Sequence, residues 1–155
     1  MTVELLTDFG LEHMTDPEID TFVRAQRYGI LGLATDGAPY LLPISYGVDA
    51  EQDLYLSFLS GPESRKGELA ASDPEATMLV LRVDSPVRWQ SVMLEGTLEA
   101  VPEAHHEDAD AVLETAWRPS MLEEAVAAGR VTRYRLAVAD RSGVKHTGLP
   151  TGLEP

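Results

Sequence analysis

A chain of 155 residues is the size of one domain and can bury roughly two thirds of its extended surface. Its 26 acidic side chains against 12 basic ones leave a net charge of -14, which argues against a protein that grips nucleic acid or an anionic membrane, since phosphate binding needs basic surface. Cysteine is absent, so disulfides, thiolate nucleophiles and Cys-ligated zinc are excluded, while 44% hydrophobic residues in periodic runs argue against disorder.

The segment Met1 to Met14 carries Glu4, Asp8 and Glu12 and no basic residue, unlike a signal peptide. The longest weakly charged stretch, Tyr28 to Val48, is broken by Pro39, Pro43 and several glycines and reads as strands, not a bilayer span. A soluble cytoplasmic protein is the expectation.

In chain order, the first element is a helix over Thr15 to Arg27. Thr15 and Glu18 form a T-x-x-E capping box, Met14 and Ile19 are spaced as a hydrophobic staple, and Ile19, Phe22 and Val23 recur at helical spacing. Tyr28 to Thr35 then reads as a strand, and Asp36-Gly37 is a hairpin signal. The next strand, Pro39 to Val48, places Tyr40, Leu42, Ile44, Tyr46 and Val48 on one face. Pro43 cannot donate to a ladder and puts an edge or a bulge there. A turn at Asp49 to Asp53 leads to a third strand, Leu54 to Leu59.

Gly61-Pro62 opens a loop, followed by a short helix from about Glu63 to Ala71 that Asp73-Pro74 stops. Strands follow at Ala76 to Val83 and Val87 to Val101, with Gly96 marking a bend or bulge. A helical region spans Pro102 to Trp117 and, after Pro119, Ser120 to Ala128. Arg130 to Ala139 is the sixth strand, and the tail from Gly148 to Pro155 is expected to be mobile. Six regularly spaced strands with few helices favour a small antiparallel β-barrel with peripheral helices, one domain over residues 1–155 with its core over about 15–139.

Familiar catalytic signatures are missing: the chain has no phosphate-loop, dinucleotide-turn, nucleophile-elbow or H-E-x-x-H motif. His105 and His106 sit among Glu107, Asp108 and Asp110. Adjacent histidines point about 100° apart on a helix and chelate poorly, so a solvated acidic face is the better reading than a metal site. His13 and His146 are read as isolated.

The run Ser60 to Lys66 is more informative. It is a strand-to-helix loop that sets Arg65 beside Lys66, one of only two lysines. Amides at a helix start together with two cations can cradle a phosphate, although such a pair can equally serve a local salt bridge. Trp89-Gln90-Ser91-Val92 sets two polar residues between large apolar ones on a central strand.

The run Tyr28 to Val48 (Y-G-I-L-G-L-A-T-D-G-A-P-Y-L-L-P-I-S-Y-G-V) resembles the opening hairpin of the pyridoxamine 5′-phosphate oxidase-like flavoproteins. L-Y-L at Leu54 to Leu56, R-K then E-L-A-A-S-D-P at Arg65 to Pro74, and W-Q-S-V-M-L-E-G at Trp89 to Gly96 follow in that family's order. The similarity covers about Thr15 to Val138 and lies nearest the branch of nitroimidazole-resistance-type proteins.

The resemblance implies an FMN-binding split β-barrel, a homodimer with FMN at the subunit interface and a small-molecule redox substrate. It implies Pro43, Ile44, Ser45 and Tyr46 beside the flavin ring, with Ser57, Phe58 and Leu59 flanking it. Arg65 and Lys66 would hold the phosphate, and Gln90 with Ser91 would close the site. The arginines and histidine with which true pyridoxamine phosphate oxidases hold their substrate have no clear match, so vitamin B6 synthesis is not expected. An FMN-dependent oxidoreductase is the leading reading. A non-catalytic flavin store or sensor, a haem or deazaflavin variant and a barrel without cofactor stay open. Tyr46 is the one acid/base candidate near the ring.

Acidic residues are scattered from Glu4 to Glu154 rather than gathered in a tail. Such a surface repels itself at low salt, and at about 1 M salt, where the Debye length is about 3 Å, the repulsion is mostly screened. A halophilic source is therefore expected. The melting temperature should rise between millimolar and molar potassium chloride, and a flat profile would refute this origin for the charge.

Overall fold

A computed structural model describes residues 3–59, 65–72, 74–114, 116, 124–125 and 127–153. The expectations placed on Gly61-Pro62, Asp73, Trp117 and Pro119, and on most of the second helical stretch, lie outside these residues. A 3₁₀ segment, Val3–Phe9, precedes β1 (Leu11–His13) and α1 (Asp16–Ala25). Then come β2 (Tyr28–Leu33), β3 (Tyr40–Ser45), β4 (Gly47–Val48), β5 (Leu54–Leu59) and α2 (Arg65–Ser72). The rest is β6 (Glu75–Ser85), β7 (Arg88–Ala100), a 3₁₀ turn Glu103–His105, α3 (His106–Leu113) and β8 (Val131–Thr147). No helix among the described residues is long and apolar enough to cross a membrane.

All pairings are antiparallel, and the sheet runs β3-β2-β6-β7-β8-β5-β4, with β1 added beside β8. The two ends of that order are consecutive pieces of one segment. The sheet therefore curls until both of its edges reach the same stretch of chain, the plan of a mainly β split barrel. The six long strands expected from the sequence are present; the Pro39 to Val48 strand is divided at Tyr46, and β1 is an addition.

Tyr46 makes that division. It is 2% exposed; its N–H donates to the Arg27 carbonyl at 3.3 Å and its hydroxyl to the Val23 carbonyl at 2.6 Å. Val23 lies in the last turn of α1, where carbonyls lack helical partners, so the phenol caps the helix as well as pinning the strand. Leu31, Leu33, Leu54, Leu56, Met78, Val80, Val92, Leu94 and Leu136 fill the inside of the curl, and Ile19, Phe22 and Val23 of α1 join them. Alternation along the strands works as expected: Leu42 and Ile44 pack on this core while Leu41 and Pro43 are exposed. Pro43 sits on β3, a terminal strand, where a missing donor is tolerated.

Several local expectations are revised. The capping box is half made: the Thr15 hydroxyl accepts the Glu18 N–H at 3.4 Å, but the Glu18 carboxylate turns to Lys145 Nζ at 2.9 Å. Asp36-Gly37 is not a two-residue turn, because neither residue takes the positive φ which a type I′ turn requires. The link spans 34–39, closed by the Thr35 hydroxyl, which accepts from Gly37 N–H and donates to Ala38.

The last strand runs eight residues past the expected end at Ala139, to Thr147. Its polar run Asp140-Arg141-Ser142-Gly143 resembles a turn but is a bulged continuation, with the register shifting opposite Glu95 and Gly96. Gly96 marks that irregularity as expected, since a Cβ there would lie 2.0 Å from the Ala137 carbonyl. The core likewise extends beyond 15–139, to Met14 and to Gly143, which packs against Met14 and Ile19. After β8 the chain makes a turn in which Leu153 N–H donates to the Pro150 carbonyl.

Asp53 fastens the turn before β5 to β8. It is 7% exposed; one carboxylate oxygen accepts Val138 N–H at 2.9 Å and the other accepts Arg135 Nε at 3.1 Å and also Nη2. Asp53→Ala should cost about 3 kcal/mol, because it leaves a buried amide and a partly buried guanidinium unpaired. Tyr46→Phe, which strands one helix carbonyl, should cost about 1–2 kcal/mol. Urea unfolding of both variants checks the order, and an Asp53→Ala variant as stable as the parent would remove the fastening role.

Candidate functional site

The expected site residues fall into two groups. The first gathers where β3 and β5 approach across the gap in the curl. α2 begins there, and its first two residues lean on the strands: the Arg65 guanidinium lies 5.3 Å from the centre of the Tyr40 ring, and Lys66 Nζ lies 5.9 Å from that of Phe58. Both are cation–π distances. Among the described residues neither cation has a carboxylate within ion-pair distance. The salt-bridge alternative thus finds no partner there. α2 is anchored behind them by Leu69 and Ala70, which pack on the core.

On β5 the side chains alternate. Phe58 turns inward, 2% exposed, with its ring 4.7 Å from that of Tyr134 and within reach of Lys66. Leu59 is exposed at the strand end, and Ser57 stands opposite Arg133. The Ser57 hydroxyl is buried without a hydrogen-bond partner among the described residues. Buried hydroxyls are usually satisfied, so this one is available to a ligand atom.

On β3, Pro43 stands opposite Ile30 on the outer face, Ile44 opposite Gly29 facing the core, and Ser45 opposite Tyr28. The Tyr46 hydroxyl is not free for acid/base chemistry. It is given to Val23, and burial pushes its pKa far above the usual phenol range.

Gln90 and Ser91 form the second group. Ser91 stands opposite Leu81 and Val144, and Gln90 opposite Arg82 and Lys145. β2 and β6 lie between them and β3, so about 14 Å of sheet separates the two groups in one chain. Toward β5 they are also at the far end of β8, since Ser57 meets Arg133 and Ser91 meets Val144. One chain does not bring all eleven expected residues together.

The outer face of the sheet between the groups is apolar. Pro43, Ile30, Leu79 and Met93 stand opposite one another across β3, β2, β6 and β7, while Leu41 and Val83 are 64% and 63% exposed. Gly32, with no side chain, floors a groove of about 720 Å³ that Leu41, Thr77, Met93 and Glu95 also line. Alternation in β6 and β7 carried the signal for this face, but the face was not singled out from sequence.

Of the histidine pair, His106 is taken up by structure and His105 faces solvent. His106 sits between the Val101 carbonyl (2.9 Å from Nε2) and Arg133 (3.5 Å from Nδ1). Asp110 takes Arg133 in a two-pronged bond of 2.6 and 2.9 Å, tying α3 to β8, whereas His105 is exposed and 4.0 Å from Asp108. The other two histidines are partnered, contrary to the isolated reading: His13 meets Glu4 at 3.1 Å, and His146 packs beside Trp89 and meets the Val87 carbonyl.

A curled antiparallel sheet whose two edges are successive pieces of one strand, with helices at its gap and flank, defines the class of split β-barrels. The family model for pyridoxamine 5′-phosphate oxidase matches residues 15–145, and the chain belongs to that family.

Solved structures carry the same fold. A FAD-binding protein from Mesorhizobium loti superposes with a TM-score of 0.70 at 22% identity, covering 87% of this chain and 97% of that one. A FAD and heme binding protein from Mycobacterium smegmatis has a TM-score of 0.69 at 19% identity, covering 91% and 75%. A candidate 5-nitroimidazole antibiotic resistance protein from Bacteroides thetaiotaomicron has a TM-score of 0.66 at 19% identity, covering 88% and 89%. No curated protein matches the sequence.

Proposed function

We propose that the protein binds FMN at the interface of a homodimer and acts as an FMN-dependent oxidoreductase on a small-molecule substrate. The observation that carries the reading is the Arg65-Lys66 pair. Two adjacent cations open a helix in a strongly acidic chain, without carboxylate partners among the described residues. A terminal phosphate dianion matches two cations and the amides of a helix start. On β5 the Ser57 hydroxyl, without a partner among the described residues, is a further polar group.

Flavin, when bound, supplies the redox chemistry, and the residues here bind it, orient it and exclude water. Pro43, Ile44 and Ser45 would support its ring from β3, and the backbone of Phe58 and Leu59 from β5. Similar folds described as FAD-binding and as FAD and heme binding support a flavin in preference to an empty barrel.

The homodimer rests on two physical points. The apolar outer face of β2, β3, β6 and β7 is larger than scattered surface residues explain, and such faces mark association. A second copy on that face would also set its own Gln90 and Ser91 near the first copy's β3, joining groups that one chain keeps apart.

Protein purified in molar salt should be yellow and release FMN on denaturation; haem absorption or released FAD would overturn the FMN assignment. Reduction of the bound flavin by a nicotinamide cofactor, with reoxidation by an acceptor, tests turnover against storage. Replacing Arg65 and Lys66 together by Ala should weaken FMN by about 3 kcal/mol, roughly a hundredfold in Kd, and unchanged affinity would remove the phosphate role. In sedimentation, Leu41→Asp with Val83→Asp should convert a dimer to a folded monomer; a parent that is itself monomeric sinks the dimer.

A further inference from the structure

A second cationic cluster lies at the far end of the β6–β7 hairpin. The sequence Arg82-Val83-Asp84-Ser85-Pro86-Val87-Arg88 turns back on itself, so two arginines with five residues between them come to line one pocket. A register shift between Val83 and Ser85 re-aims the side chains, and Arg88 stands opposite both Ser85 and Thr147. With Gln90, Trp89, His146 and Thr147 the arginines line a pocket of about 380 Å³.

The charge balance there is the reverse of the molecule's. The one carboxylate among the described lining residues, Asp84, engages Arg82 through Nε at 3.1 Å, which leaves the terminal nitrogens of that guanidinium. Arg88 makes no ion pair among the described residues. Gln90 and Thr147 add neutral polar groups. The imidazole of His146 is fixed by the Val87 carbonyl and stacked 6.2 Å from the Trp89 indole, which stiffens that wall.

By contrast, the described lining of the pocket beside the turn before β5 sets Asp16, Glu51 and Asp140 against Arg141. In a chain of net charge -14, two guanidiniums line this open hollow and the Asp84 carboxylate engages only one of them, so the hollow favours an anion. A planar guanidinium fork matches the oxygens of a phosphate or carboxylate, and two forks from neighbouring strands lining one pocket can together hold one anion.

We propose that this pocket binds the oxyanion group, phosphate or carboxylate, of a small organic ligand between Arg82 and Arg88. The site stands apart from Arg65 and Lys66 and does not rest on the flavin reading; only Gln90 is common to both.

The test uses the full chain without added flavin and follows the Trp89 indole N–H in two-dimensional NMR, its peak assigned with Trp89→Phe. Titrated with inorganic phosphate and, separately, with acetate, the peak should shift saturably with at least one of them, and the tighter of the two names the oxyanion. Arg88→Gln and Arg82→Gln, both at exposed positions, should weaken that binding at least tenfold, while Arg130→Gln should leave it unchanged. A Trp89 peak that does not move saturably with either anion overturns the proposal. So does an Arg88→Gln variant that binds as well as the parent, or an Arg130→Gln variant that loses binding equally. Failure here leaves FMN affinity, measured separately, unaffected.

Discussion

Everything in this molecule hangs on a single segment having to serve both edges of one sheet. β3 pairs with β2 at one end of the strand order and β4 with β5 at the other, yet only Tyr46 stands between them. A strand cannot pair in two directions without breaking, and the break exposes backbone groups that need partners. Tyr46 resolves this by burying its ring, giving its N–H to Arg27 and its hydroxyl to Val23. The same residue thus ends a strand, caps α1 and fixes the helix against the barrel. The neighbouring Gly47 lets α3 approach so closely that a Cβ would lie 2.3 Å from the Val112 carbonyl.

Much of this plan was legible in the residues, for physical reasons that also explain the misses. Alternation of apolar side chains revealed six strands because one face of each meets a common core, and Thr15 announced α1 because a helix start needs an acceptor. The division at Tyr46 was hidden, since the alternation runs through it unbroken. The end of β8 was hidden because Asp140 to Gly143 reads as a turn by composition. Tertiary contact decides otherwise: Gly143 is packed under Met14 and Ile19, and its carbonyl accepts the Met14 N–H at 2.8 Å. The first turn of α2 was legible because two cations together are unusual in so acidic a chain. Where Phe58 would point was equally readable from its alternation with Leu54 and Leu56.

The cations divide by what they meet. Arg133, Arg135 and Lys145 are taken up by Asp110, Asp53 and the Glu12–Glu18 pair, and their pKa values are raised by those hydrogen bonds. They act as cross-links that join α3, the turn before β5 and α1 to β8. One of the two lysines is therefore structural, and rarity alone does not mark a cation as a ligand-binding one. What distinguishes Arg65 and Lys66 is that they rest on aromatic rings, an arrangement that leaves their charge available.

Pro43 on the terminal strand has one more consequence. An uncovered strand edge normally offers a row of donors and acceptors on which a further chain can grow, the route by which sheets extend into filaments. Pro43 withholds a donor from β3, and on the opposite edge β4 is only two residues long. Lateral growth is thereby disfavoured at both ends of the strand order.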